Sequence, residues 1–293
     1  MINRYSRQML LPSVQRSGQE RLQRCTVVVV GAGGLGSSCL LYLGGAGVGR
    51  IRIIDFDVVE VGNLHRQVIH CEAEAATHSF KAESAARKLS ALNSSTVCEP
   101  IVAKLTHSNA MDLLQGADVV VDATDNFSSR YLLCDACFLL NVPLISGSAV
   151  GLEGQLTVFW SPKSPCYRCI YPSPSLVEDC RSCSNAGVLG PVPGIIGCMQ
   201  AVETIKLILA MGNFDDKPAI FRPLIGRQMF YDAMNGNTTT FNLPEPDPLC
   251  KLCSENASIR SIGDSKGLHP SPTSSLPSYP LRLMFPITCN LHS

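Results

Sequence analysis

Four consecutive valines, Val27 to Val30, run directly into Gly31-Ala32-Gly33-Gly34-Leu35-Gly36. β-Branched residues favour extended chain, and an unbroken apolar run of this length suits a strand buried on both faces. The glycines permit a tight turn, and the small residues from Gly34 to Gly47 read as a helix packed close behind it. A strand, a Gly-rich turn and a helix in that order aim backbone N–H groups at an anion held on the positive helix end. Asp55 follows a second apolar run, Ile51-Arg52-Ile53-Ile54, at the distance where an acid receives ribose hydroxyls. A nucleotide site is implied, and up to this point NAD suits it as well as ATP does.

The residues that follow lean toward phosphate. Arg66, in Asn63-Leu64-His65-Arg66-Gln67, carries a planar fork that suits phosphate oxygens better than a nicotinamide. The plainer reading is a solvated loop arginine. A further apolar strand, Val119-Val120-Val121, ends in Asp122-Ala123-Thr124-Asp125-Asn126. Strand C-termini are where open α/β sheets bind ligands. An acid at that end, Asp125, is placed to hold Mg2+ beside phosphates. It also suits the N-cap of a helix starting near Phe127, and the two roles are compatible.

The wider pattern predicts an α/β fold. Strands are expected near 27–30, 51–54, 97–102, 118–122 and 143–146, alternating with helices near 34–46, 78–92, 107–115 and 128–140. That alternation makes a doubly wound, Rossmann-like, mainly parallel sheet. Residues 4–24 have helical character, with Tyr5, Met9, Leu10, Val14 and Leu22 as apolar contacts. Beyond Gly154 come a strand-like run to Trp160, a helix over 195–211 and short strands at 218–221, 228–232 and 238–243, which extend the sheet in an antiparallel sense. From Ser254 periodicity gives way to Ser, Pro and Gly, so 1–253 reads as one domain and 254–293 as a disordered tail.

Composition narrows the classes. At 293 residues with 45% hydrophobic content, the chain can bury a core for one large or two small domains. A formal charge of zero supplies no electrostatic reason to expect nucleic acid as a partner. No signal-like h-region opens the chain, and Glu203 and Lys206 interrupt the apolar stretch from Gly194 to Met211. A soluble, cytoplasmic protein with no membrane partner is expected, and its 14 cysteines then read as reduced thiols and metal ligands.

Four cysteine pairs have C-x-x-C spacing. Cys134 and Cys137 lie in an apolar helical stretch and read as core fillers. Cys166/Cys169 and Cys250/Cys253 sit in turn-like, Pro-flanked sequence, where two thiolates of one knuckle point at one ion; together they make a closed, structural zinc site of four cysteines. Cys180 and Cys183 lie in a Pro/Ser-rich loop, where an accessible thiol can act as a nucleophile.

These motifs occur in one order: Arg4-Tyr5-Ser6-Arg7-Gln8, Gly31 to Gly36, Asp55-Phe56-Asp57, Asn63 to Gln67, Thr124-Asp125-Asn126, Gly154 to Val158, Cys166-Tyr167-Arg168-Cys169, Gly187 to Gly190 and Tyr231-Asp232-Ala233. From Arg4 to Cys253 the chain resembles the MoeB/ThiF family of adenylating enzymes, relatives of the ubiquitin-activating enzymes. It is most similar to the eukaryotic branch that serves molybdenum cofactor synthesis and tRNA thiolation. The resemblance implies ATP-dependent adenylation of the C-terminal glycine of a ubiquitin-like sulfur carrier ending in Gly-Gly, with Mg2+ at the phosphates and Zn2+ on the two cysteine pairs. It implies Gly34 and its neighbouring amides at the nucleotide and Asp55 at the ribose. Asn63, Arg66 and Lys81 fall to the phosphates, with Gly62, Leu64 and His65 in the same nucleotide-contacting loop. Asp125 falls to Mg2+ with Asn126 beside it, and Arg130 is a further phosphate candidate. Arg7 would cross a homodimer interface into the partner's site. Cys183 would act as a nucleophile in later sulfur transfer, with Cys180 a resolving partner or a bystander.

The sequence departs from the family in three places. Gly62 stands where relatives often carry Ser or Asn, and the spacing between His70 and Lys81 differs. The eukaryotic branch continues into a rhodanese domain, but no rhodanese active-site loop is recognisable in 254–293. Sulfur is therefore expected from a separate donor, a cysteine desulfurase or rhodanese, or the chain is a truncated product limited to adenylation. The competing readings are a nicotinamide-dependent oxidoreductase, and a non-catalytic zinc-stabilised module that binds a ubiquitin-like protein or dimerises with a full-length form.

Overall fold

The computed structural model describes residues 4–172, 187–211, 221–266 and 268. Eight strands, β1 Thr26–Val30, β2 Arg50–Ile54, β3 Val97–Ile101, β4 Val119–Asp122, β5 Leu144–Val150, β6 Glu153–Phe159, β7 Arg227–Asp232 and β8 Asn237–Asn242, form one sheet. Their spatial order is β3-β2-β1-β4-β5-β6-β7-β8. From β3 to β5 every pairing is parallel. From β5 to β8 every pairing is antiparallel, as the change of pattern after Gly154 predicts.

The valine run explains the layers. Side chains alternate across a strand, so Val27 and Val29 enter one core while Val28 and Val30 enter the other, and all four are buried. The helices, in chain order, are α1 Ser6–Met9, α2 Gln15–Arg24, α3 Gly34–Ala46, α4 Glu72–Ala76, α5 Lys81–Leu92, α6 Ala110–Leu114, α7 Phe127–Leu140, α8 Tyr167–Ile170 and α9 Pro191–Ala210. The first core holds residues of α3, α5 and α9, and the second residues of α6, α7 and α8. Helix α9 is long and apolar enough to cross a membrane by length and composition alone, but it packs on α3 and the sheet, with Ile196, Leu207 and Ile208 fully buried.

Several expected boundaries shift. The N-terminal segment breaks into α1 and α2, and Leu10 in the break is 71% exposed rather than packed, while Tyr5, Val14 and Leu22 are buried. The helix expected from 78 begins at Lys81, after the separate α4. Helix α9 starts a turn before 195, because proline is tolerated in a first helical turn and Pro191 supplies that start. Of the strand expected at 218–221, only Phe221 is described, and it is not in a strand. Packing also runs past 253: Ile259 is 1% exposed, and Ser261 with Asp264 forms a capping box on a 3-10 turn, Ile262–Ser265. Ile259, Ile262 and Leu268 reach the second core, so the first part of the expected tail is held by burial, and 269–293 lie outside the described residues.

Candidate active site

The strand order reverses between β1 and β4, and a ligand crevice opens beyond the carboxyl ends of strands at such a switch point. Gly31 sits there with φ +99°, and a Cβ on it would meet the Ala123 carbonyl oxygen at 2.6 Å. A Cβ on Gly36 would strike the Gly31 carbonyl, so both glycines are required for the turn to close against β4 and α3. The N-cap of α3 is Gly33, and no side chain caps the helix, which leaves first-turn N–H groups to a ligand.

A cleft of about 370 Å³ lies over this turn. Gly33 and Gly34 line it, together with Asp55, Arg66, Lys81, Asp125 and Asn126. Val30, Ile54, Leu105 and Leu132 add apolar wall. Asp55 receives Ala32 N at 2.7 Å and Asp57 N at 2.9 Å, so it braces the Gly-rich turn while facing the cleft. Burial holds its carboxyl above the ordinary carboxylate range, against the pull of those two N–H groups and Lys81.

Lys81 is the first residue of α5, where the helix dipole disfavours a cation, and it is 5% exposed. Its ammonium lies 2.9 Å from Asp57 Oδ2, on a carboxylate side chain that is 50% exposed. Arg66 donates to Asn63 Oδ1 at 2.6 Å and approaches His65 Nε2 at 2.8 Å. Two neighbours, Asn63 and His65, thus aim the guanidinium without themselves lining the cleft. Gly62 and Leu64 also lie outside the lining, and a Cβ on Gly62 would meet nothing within 4 Å. A polar side chain at position 62 would therefore fit.

The cap of α7 falls to Asn126, whose Oδ1 accepts from Ser129 N at 2.9 Å. Asp125, one residue earlier, is exposed at the cleft and free of that duty. Asp122, by contrast, is fully buried and already receives Thr124 N, Thr124 Oγ1 and Ser146 Oγ. Arg130 donates to the Thr124 and Gly147 carbonyls, which ties the ends of β4 and β5 together, and it does not line the cleft. Arg7 is exposed on α1 and is likewise absent from its own chain's cleft.

Sequence reasoning misses three residues here. Lys104 lines the cleft from the loop after β3, with its ammonium 5.7 Å from the Phe56 ring centroid. Gln67 lines it beside Gly33 and is 5% exposed. His70, 7% exposed, bonds Ala32 O at 2.9 Å through Nε2 and Ser84 Oγ at 2.6 Å through Nδ1. A carbonyl only accepts, so Nε2 carries a proton, and the Ser84 hydroxyl lies between Nδ1 and the Glu74 carboxylate. Burial lowers the His70 pKa, consistent with a neutral ring that props the turn. The signal was the helical spacing Asn63-x-x-Arg66-Gln67-x-x-His70, in which Gln67 N bonds Asn63 O and His70 N bonds Gln67 O.

Away from the cleft, the sulfurs of Cys166, Cys169, Cys250 and Cys253 lie within 4.8 Å of one another. Sulfur separations of 3.7, 3.5 and 3.2 Å approach the roughly 3.8 Å that follows from four thiolates at zinc–sulfur bonding distance. Asp247 N and Leu252 N approach Cys169 and Cys250 Sγ at 3.4 Å, as amides do in a metal knuckle. The donor set fits a closed structural ion. Cys134 and Cys137 are buried in the second core. Cys180 and Cys183 lie outside the described residues.

The family model for the ThiF family matches residues 5–252. The chain belongs to the ThiF family. Among curated relatives, the adenylyltransferase and sulfurtransferase MOCS3 of Arabidopsis thaliana is 47% identical over 258 residues, covering 88% of this chain and 53% of that protein. MOCS3 of Bos taurus is 43% identical over 263 residues, covering 90% and 55%. The chain therefore spans about half the length of the curated relatives it matches. Among solved structures, E. coli MccB with ATP superposes at a TM-score of 0.71 and 23% identity, covering 86% of this chain and 74% of that one. That likeness shows the fold of this ThiF-family chain.

Proposed function

We propose that this chain adenylates the C-terminal glycine carboxylate of a ubiquitin-like sulfur carrier, using ATP. The observation that carries this reading is Lys81, a buried cation at a helix N-terminus, facing a cleft beside an uncapped Gly-rich turn and held by one half-exposed carboxylate. Such a cation is under-compensated and favours an incoming polyanion.

A carboxylate has no leaving group, and adenylation supplies one. A carboxylate oxygen forms a bond to the α-phosphorus of ATP while the bond to pyrophosphate breaks, giving an acyl adenylate. The protein's part is positioning and fixed positive charge. Turn amides at Gly33 and Gly34 take phosphate oxygens, Arg66 and Lys81 offset charge on the α-phosphoryl group and departing pyrophosphate, and Asp55 takes the ribose. Asp125 is the carboxylate available to Mg2+, since Asp122 is fully engaged within the fold; the ion, when bound, neutralises phosphate charge. Cys166, Cys169, Cys250 and Cys253 would hold Zn2+, which would tie the α8 knuckle to the segment after β8 and leave the chemistry to the cleft. Arg7, exposed and outside its own cleft, serves the partner's cleft in a homodimer. Cys183 acts later, as the nucleophile in sulfur transfer fed by a separate donor.

ATP–pyrophosphate exchange with purified protein and candidate carriers ending in Gly-Gly tests the reading. Exchange that requires a carrier and is lost on deleting its last glycine is the expected result. Absence of exchange with every carrier, at full zinc occupancy, would overturn it.

A further inference from the structure

Gln67 is the one cleft-lining residue whose buried side-chain oxygen, Oε1, has no hydrogen-bond partner among the described residues. Leaving a buried carboxamide oxygen unpaired costs free energy, so such a group points to a ligand that completes it. The backbone fixes where it lies. Gln67 N bonds Asn63 O at 3.0 Å and its carbonyl receives His70 N, in the same short turn that presents Arg66. A Cβ built on Gly33 would lie 3.6 Å from Gln67 Nε2, so the carboxamide rests against the N-cap of α3, where the phosphates bind in the reading above.

An oxygen accepts hydrogen bonds and cannot donate them. The phosphates of ATP carry only acceptors at neutral pH, and its donors, the ribose hydroxyls and the adenine amino group, lie away from the phosphates at the Asp55 end in the reading above, so the phosphates beside this turn leave Oε1 unsatisfied. The other reactant brings a donor close to the reacting atoms: the backbone N–H of its C-terminal residue is three bonds from the carboxylate oxygen. The geometry points to Gln67 as a substrate-positioning residue whose Oε1 accepts that last peptide N–H and turns the carboxylate toward the α-phosphorus. The occupant is a peptide that ends in a free carboxylate. This inference rests on the adenylation reading and adds the contact that orients the acyl group.

The test is a double-mutant cycle with one arm on each molecule. On the enzyme, Gln67→Met keeps the shape of the side chain and removes its acceptor. On the substrate, an ester oxygen replaces the last amide N–H of the carrier. With wild-type enzyme the ester carrier is expected to lose about tenfold or more in kcat/KM for pyrophosphate exchange, the loss expected for one buried hydrogen bond. Gln67→Met should lose a similar factor with the natural carrier, leave the KM for ATP within about twofold, and lose little more when combined with the ester. Independent, multiplying losses, or a rise confined to the KM for ATP, would overturn the inference and place Gln67 on the phosphates. The wild-type arm with the ester carrier needs no variant to fold, and an unchanged rate there overturns the inference by itself. Failure of the wild-type enzyme with the natural carrier would remove the adenylation reading as a whole, which separates the two failures.

Discussion

Two buried cations show what separates a site from a brace. Arg168 grips Asp135 with Nε at 2.6 Å and Nη2 at 2.8 Å, and the two side chains are 6% and 1% exposed. That pair links α8, which carries one of the four clustered cysteines and is preceded by another, to α7, and both charges are satisfied within the fold. Lys81 is as deeply buried, but its carboxylate partner is half exposed and bonds it once. Both contacts are ion pairs; only the second leaves positive charge facing a cleft. Burial alone does not single out a candidate site cation; burial without full compensation is what singles out Lys81 here.

The largest expected effect breaks the brace. Arg168→Met leaves Asp135 buried and unpaired, and thermal and denaturant unfolding should show a loss of about 3–5 kcal/mol. In molecules that remain folded the KM for ATP should hold. Lys81→Met should do the reverse, lowering pyrophosphate exchange by about 10² to 10³ fold with little change in melting temperature, as when one charge-stabilising donor is removed from a reaction centre. If Lys81→Met unfolds the protein while Arg168→Met only slows exchange, the distinction between the two cations is wrong.

Asp125 sharpens the same contrast from the acidic side. Asp125→Ala should abolish exchange with zinc content and melting temperature retained, because Asn126 and not Asp125 caps α7. Asn126→Ala should instead cost about 1 kcal/mol of stability. A destabilised Asp125→Ala would show that the carboxylate serves the fold.

The smallest effect concerns pH. The His70 pKa is lowered from its ordinary 6.5 by burial, so the folded protein binds this proton less readily than the unfolded chain. The stability of the neutral ring is fully present above 6.5 and is lost as pH falls below it through the lower folded value. Wild type should therefore lose stability relative to His70→Gln on acidification in that window, measured as a shrinking difference in melting temperature. A difference that is constant with pH would show that His70 does not titrate with folding.

Much of this was legible in the chain. Val27 to Val30 announced a central strand because β-branched residues without a polar interruption have few other uses, and the C-x-x-C pairs separated by context: Cys134 and Cys137 among helical leucines, Cys166 and Cys250 beside prolines. Gln67 and His70 were legible only through their spacing from Asn63 and Arg66, and Lys104 was not legible as a site residue, because their roles depend on which loops meet at one turn. Asp125 and Asn126 are both good caps, and only the register of α7 decides between them. The packing of Ile259 after a polar stretch depends on contact with the second core, which local composition does not encode.

The central claim is that the adenylyl group of ATP passes to a carrier's terminal carboxylate in this cleft as pyrophosphate leaves. It is tested most directly by incubating protein and carrier with ATP labelled at the α-phosphorus or, separately, at the γ-phosphorus, and recovering the carrier at intervals of seconds. The account predicts α-label on the carrier, γ-label only in released pyrophosphate, and both appearing about 10² to 10³ fold more slowly with Lys81→Met. Label on the carrier from the γ-position, or none from the α-position while pyrophosphate is formed, would contradict it.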